Sequence, residues 1–229
     1  MTQYGDQRGS LQGAQRSLIE LGRWADQRGW CPATGGNFSL RLRGAEGDER
    51  CLITASGVHK GELTSSDFIE LDLEGRPLNP QDPNRPSAET LIHLELYKLS
   101  ADTGAVLHTH SVLNTVLSRA TEGERLSLEG WEMQKALRAQ TTHEAEVGLA
   151  IFDNSQDMRA LAAALRRRWE QRADVHWGFL VRGHGLYSWG RDLAEARRHL
   201  EAIEFLLACH LELLRLSGHS KAALTAPTR

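Results

Sequence analysis

His108-Thr109-His110 closes the apolar run Ala105-Val106-Leu107, and its two imidazoles are spaced to meet one metal ion. Residues two apart on a strand share a face, so both rings point the same way. An isolated pair of this kind is equally compatible with one packed and one hydrogen-bonded histidine. His184 adds a third imidazole within RGHGLY, where Gly183 and Gly185 mark a tight turn at which backbone and a bulky ligand come close. Three histidines on zinc leave a coordination position open for water or substrate, as a catalytic site requires. The remaining histidines, His93 and His59 among them, lack such neighbours and read mostly as surface or helix-face residues.

Two stretches have the composition of an anion cradle. TGGNFS at 34–39 and TASGVHKG at 54–61 each set glycine beside Ser, Thr or Asn where a strand meets a turn, exposing N–H groups and hydroxyls to a phosphate, with Lys60 available to add charge. Either could be an ordinary turn, since neither matches a dinucleotide fingerprint or a P-loop. Glu89 and Glu132 are the carboxylates of interest. Each sits where a helix is expected to start, a position at which an acid is stabilising without any chemistry.

These residues need a frame, and hydropathy patterning supplies one. Leu11, Leu18, Leu21, Trp24 and Ala25 recur at helical spacing between Ser10 and Gly29. Phe38, Leu40 and Leu42 alternate with Ser39, Arg41 and Arg43, which predicts a strand with CLIT at 51–54 as its hairpin partner. A further strand is expected from Phe68 to Leu73. Three prolines between Asn79 and Pro86 exclude regular structure there, and Ser87 then stands as the N-cap of a helix over 88–100. A strand at 105–110 is followed by a helix in SVLNTVLSR. Beyond it the pattern predicts a strand from Gly148 to Phe152, a helix from Asp157 to Arg172, a hairpin around Gly183, and a long helix from Leu193 to Leu216 with a frayed tail.

Composition narrows the function classes. With 27 Lys and Arg against 30 Asp and Glu, the formal charge of −3 offers no electrostatic case for nucleic acid or an anionic membrane, so a small molecule is the expected partner. No apolar run approaches the length needed to cross a bilayer. Cys31, Cys51 and Cys209 form neither a disulfide framework nor a thiolate zinc site, which fits a reducing cytoplasm.

In their order along the chain, TGGN, TASG, PSAE, HTH and GHGLY resemble the class II aldolase and adducin family, over about residues 12 to 216. The resemblance implies a single three-layer α/β/α domain spanning residues 1–229, with a central, largely antiparallel sheet. It implies His108, His110 and His184 as ligands of Zn2+, with Asn37, Ser56, Gly57 and Ser87 as the pocket for the phosphate of a small ketose. Where many family aldolases carry two serines before the acid, this chain has Ser87 and Ala88. GWEMQKAL and VGLAIFDNSQDM are similar to the dehydratase branch of the family, whose proposed acid/base maps onto Glu132; Glu89 occupies the position of the aldolases' catalytic carboxylate. The resemblance therefore implies dehydration with Glu132 foremost and Glu89 as a secondary, metal-neighbouring acid, with an aldolase or 4-epimerase activity as the alternative. It also implies a homotetramer with active sites at subunit contacts.

Overall fold

Successive residues of the strand Ala105–Thr109 divide between two cores: Ala105 and Leu107 join one buried cluster, Val106 the other. The same alternation separates Leu52 from Cys51 and Ile53, and Leu186 from Tyr187 and Trp189. A sheet that is apolar on both faces must be covered on both, and it is. The computed structural model describes residues 10–44, 47–171 and 174–224, with side chains to residue 217.

In chain order the elements are α1 (Leu11–Asp26), β1 (Asn37–Arg43), β2 (Glu49–Thr54), β3 (Phe68–Asp72), α2 (Thr90–Leu99), β4 (Ala105–Thr109), α3 (Val112–Ala120), β5 (Arg125–Leu128), β6 (Val147–Phe152), α4 (Met158–Glu170), β7 (Gly178–Val181), β8 (Gly185–Gly190) and α5 (Leu193–Leu224). The eight strands form one sheet in the order β3-β2-β1-β4-β8-β7-β6-β5. Every neighbouring pair is antiparallel except β6 and β7. Helices α1, α3 and α5 cover one face through Leu18, Leu21, Leu117, Leu200 and Ile203, while α2 and α4 cover the other through Ile92, Leu96, Leu161 and Leu165. This is the expected α/β architecture with a largely antiparallel sheet.

Most of the expected elements are present, with shifted ends. Asp157 caps α4 by accepting from the N–H groups of Arg159 and Ala160; Arg172, the expected end of that helix, lies outside the described residues. Three differences have physical causes. Residues 125–128 pair with β6 as the edge strand β5, a segment of four residues whose alternation is too short to announce itself. The stretch from Glu132 to Ala136 is a 3₁₀ turn rather than the start of an α-helix. Helix α5 continues to Leu224, past the frayed tail expected after Ser217.

Register sets up the site. Asn37 at the start of β1 stands opposite His108 near the end of β4, and Thr109 stands opposite Leu186 near the start of β8. Three central strands thus deliver their ends to one edge of the sheet.

Candidate metal centre

His108 lies on the same face of β4 as Val106, the face under α2. Its ring is fully buried and stacks on Tyr187 with centroids 3.9 Å apart and planes 11° from parallel. The Nδ1–H donates to the Leu186 carbonyl at 3.0 Å, which fixes the tautomer and leaves the Nε2 lone pair free. His110 follows where the strand gives way to α3. Its N–H donates to the Trp30 carbonyl at 2.8 Å, and Ser111 then caps α3 by accepting from the Asn114 N–H at 3.1 Å. These backbone bonds turn the second imidazole back toward the first.

His184 comes from the β7–β8 turn, which α3 clamps. The Gly183 N–H donates to Ser118 Oγ at 3.0 Å, and Thr115 Oγ1 donates to the His184 carbonyl at 3.1 Å. Gly183 holds a left-handed φ of 64°, which accounts for one of the two glycines. Crowding accounts for the other: a Cβ on Gly185 would lie 2.4 Å from the Thr109 carbonyl oxygen and 2.8 Å from carbon atoms of both the His108 and His110 rings.

One imidazole nitrogen from each of His108, His110 and His184 and one oxygen of Glu89 all lie within 4.8 Å of one another. Glu89 Oε1 is 2.9 Å from His184 Nε2 and 3.5 Å from His108 Nε2. His108 Nε2 and His110 Nε2 are 2.8 Å apart, so a free lone pair on the first faces the second ring, and a shared cation would satisfy both. The buried Nδ1 of His184 has no hydrogen-bond partner among the described residues. Burial foremost, with the neighbouring His108 and His184 adding to it, lowers the His110 pKa to about 3, so the ring is the neutral species that ligates metal. Burial works to raise the Glu89 carboxyl, but the neighbouring His108 and His184 outweigh it and hold the acid well below the usual carboxylate range. A donor set of three imidazoles and one carboxylate fits zinc better than a hard cation.

The other expected residues distribute around this cluster. Ser56 and Gly57 are exposed at the end of β2, and the Ser56 N–H donates to the Arg85 carbonyl at 2.9 Å, bringing that turn beside the segment leading to Ser87. Ser87 accepts from the Glu89 N–H at 3.2 Å and so orients the start of α2. Asn37 has half its amide engaged: Nδ2 donates to Glu89 Oε2 at 2.6 Å, and Oδ1 accepts from His93 Nε2 at 2.5 Å. With 3% of its surface exposed, it keeps one Nδ2–H that could serve a phosphate, less than expected. Lys60 also departs from expectation, since its buried ammonium donates to the carbonyls of Thr34 and Val58, both at 2.7 Å, and ties the two glycine-bearing turns together.

Glu132 stands apart from His108, His110 and His184 within its own chain. Its side chain is 74% exposed and pairs with Lys135 at 2.9 Å and His143 at 3.6 Å. The hydrogen bond from Lys135 lowers its pKa, as the neighbouring imidazoles lower that of Glu89. The loop after it is pinned at Arg138, whose N–H donates to His199 Nε2 while its carbonyl accepts from Trp177 Nε1. His199 in turn donates to the Trp189 carbonyl, at the end of β8 remote from His184.

The Class II Aldolase and Adducin N-terminal domain matches residues 16–211. The chain belongs to the class II aldolase and adducin family. Among relatives in that family, methylthioribulose-1-phosphate dehydratase of Serratia proteamaculans is 50% identical over 197 residues, covering 86% of this chain and 93% of the relative. The protein of the same name from Marinobacter nauticus is 48% identical over 204 residues, covering 89% and 95%. Of solved structures, L-fuculose-1-phosphate aldolase from Thermus thermophilus superimposes with a TM-score of 0.71 at 25% identity, covering 91% of this chain and 99% of that one. Sequence likeness within the family thus runs to the dehydratases, and backbone likeness extends to its aldolases.

Sequence reasoning missed His93. It is wholly buried, and its signal was available only jointly: Asn37, Ser39 and Arg41 at every second position of β1, and Glu89, His93 and Tyr97 at every fourth position entering and following α2.

Proposed function

We propose that this protein removes water from 5-methylthioribulose 1-phosphate to give 2,3-diketo-5-methylthiopentyl 1-phosphate, a zinc-dependent hydro-lyase step of methionine salvage. The observation that carries this reading is the likeness, at close to half of all positions over nearly nine-tenths of the chain, to proteins named for that substrate. Three imidazoles gathered with one carboxylate are the chemistry such a step needs. His108, His110 and His184 would hold the ion, and a bound zinc would supply Lewis acidity toward the substrate's oxygens.

The chain's own groups account for the rest. Glu89 lies among the metal-binding histidines, and as a carboxylate it accepts the C3 proton; the acid so formed gives that proton to the C4 hydroxyl, which departs as water and leaves an enol that tautomerises to the diketone. Glu132, the foremost candidate by resemblance, lies outside this cluster in its own chain, so Glu89 takes precedence here. Ser56, Gly57 and Ser87 offer hydroxyls and N–H groups for the phosphate. A homotetramer in the cytoplasm completes the proposal. It is supported by the apolar side chains Val112 and Val116 on α3, 73% and 44% exposed close to His110, and by Phe205, Leu213 and Leu214 on α5, all about half exposed.

The test is turnover of the methylthio substrate by the wild type, Glu89→Gln and Glu132→Gln, with fuculose 1-phosphate run alongside. Glu89→Gln is expected to lower kcat by about 10²–10⁴ with zinc retained. Near-wild-type dehydration by that variant, with collapse in Glu132→Gln, would return the base role to Glu132. Cleavage of fuculose phosphate without dehydration would make the protein an aldolase.

A further inference from the structure

Strand β1 and helix α2 meet along a polar seam that the proposed chemistry does not account for. Asn37, Ser39 and Arg41 share the face of β1 that looks toward α2, and Glu89, His93 and Tyr97 recur at four-residue steps opposite them. Two residues of strand advance about 6.7 Å and four residues of helix about 6 Å, so the two series stay in step for three rungs. The contacts follow that match. Tyr97 Oη and Ser39 Oγ are 2.7 Å apart, Ser39 Oγ and His93 Nδ1 2.7 Å, His93 Nε2 and Asn37 Oδ1 2.5 Å, and Asn37 Nδ2 and Glu89 Oε2 2.6 Å. Asn37, Ser39, His93 and Tyr97 are each 3% exposed or less. At the far end Arg41 donates to the Tyr97, Ser100 and Ala101 carbonyls and secures the C-terminus of α2.

Only one sense of hydrogen bonding fits this chain. An ionised carboxylate is purely an acceptor, so Asn37 must turn its NH₂ to Glu89 and its carbonyl to His93. His93 must then carry its proton on Nε2 and accept on Nδ1. Ser39 must donate to that nitrogen, and Tyr97 must donate to Ser39. Each group has one way to point, and every donor is aimed toward Glu89. Burial, which lowers the His93 pKa to about 3, keeps the ring in the neutral form this pattern demands.

We propose that Asn37, His93, Ser39 and Tyr97 form a positioning ladder for Glu89. It holds one carboxylate oxygen, Oε2, away from the histidines so that Oε1 alone faces the metal centre and substrate. The proposal rests on Glu89 as the acid/base group. None of the four touches substrate; they act through the orientation of that one side chain, and loss of the Ser39 hydroxyl frees His93 to change tautomer, Asn37 to flip its amide, and the carboxylate to lose its donor.

Ser39→Ala, Ser39→Thr and Tyr97→Phe, each alone and combined with Glu89→Gln, test this, read by kcat, KM and the ¹⁵N-histidine spectrum of the purified protein. Expected are a roughly 10-fold or greater fall in kcat for Ser39→Ala, a fall of a few-fold for Tyr97→Phe, KM within about two-fold, and recovery in Ser39→Thr. Combined with Glu89→Gln, neither alanine nor phenylalanine should lower the residual rate further, because groups that act through one another are not additive. The His93 signal should show the Nε2–H tautomer in wild type and a shift toward Nδ1–H in Ser39→Ala. Additive losses in the double variants, or an Nδ1–H tautomer in wild type, would overturn the ladder while leaving the role of Glu89 intact. Full turnover by Glu89→Gln alone would instead overturn the assignment of Glu89 beneath it, and the spectrum would then report the ladder as structural only.

Discussion

Gly185 is, at the scale of single residues, the narrowest of the glycines that press on the clustered histidines. A methyl group there would press on the Thr109 carbonyl and on two imidazoles at once, all held by backbone bonds with little freedom to retreat. Gly185→Ala is therefore expected to spread His108 and His110 and reduce zinc content of the purified protein to well under half of wild type, while far-UV circular dichroism stays unchanged. His110→Ala should abolish stoichiometric zinc, because two imidazoles and one carboxylate rarely retain it through purification. Elemental analysis reads both. One zinc per chain in either variant would mean that the metal sits elsewhere.

At the scale of elements, Lys60 joins the turn after Cys31 to the turn after β2. Its ammonium is buried, its pKa lowered first by burial, and its two hydrogen bonds end on carbonyls of the two segments. Lys60→Met keeps most of the apolar stem and removes both donors. Water can reach the partly exposed carbonyls, so the cost should be about 1–2 kcal/mol, a fall in Tm of about 2–8 °C. The looser turn carries Ser56 and Gly57, so KM for the phosphorylated substrate should rise several-fold with a smaller change in kcat. An unchanged KM at lowered Tm would show that the tether serves stability alone.

At the scale of the whole molecule, Glu204 links α5 to the β4–α3 junction. It is 2% exposed, accepts from Ser111 Oγ at 2.7 Å and Asn114 Nδ2 at 2.9 Å, and burial raises its pKa to about 7. The unfolded chain titrates this acid near 4.3, so between about pH 4.3 and 7 the folded state binds the extra proton. Stability must then fall as pH rises through that window, by on the order of a few kcal/mol, with the loss complete above about 7. Glu204→Gln mimics the protonated form. Its Tm should match wild type near pH 5 and exceed it at pH 8; equal melting at pH 8 would show that Glu204 ionises without penalty.

Local spacing made much of this protein legible without coordinates. Period-two alternation in residues 38–42 and 105–107 and three-to-four spacing in α1 and α5 specify elements, because they follow from the rise and twist of a single segment. His108 lies on β4 and His110 just past its end, so their nearness was decided by sequence. Their meeting with His184 and Glu89 was not, since it depends on β4 lying between β1 and β8 and on which end of α2 faces the sheet edge. The same limit hid His93. On β1 the polar residues Ser39 and Arg41 alternate with the apolar ones, and α2 covers them and turns them into the buried seam behind Glu89. Glu132, similar in local context to Glu89, was left exposed beside Lys135 because its 3₁₀ turn leads into a loop anchored at the far end of β8. Residue types and short spacings picked out the candidate histidines and most of the strands; the order of strands and the packing of α2 decided which carboxylate joins the histidines, because contacts between distant segments follow from burial of two apolar faces together and not from any one segment's pattern.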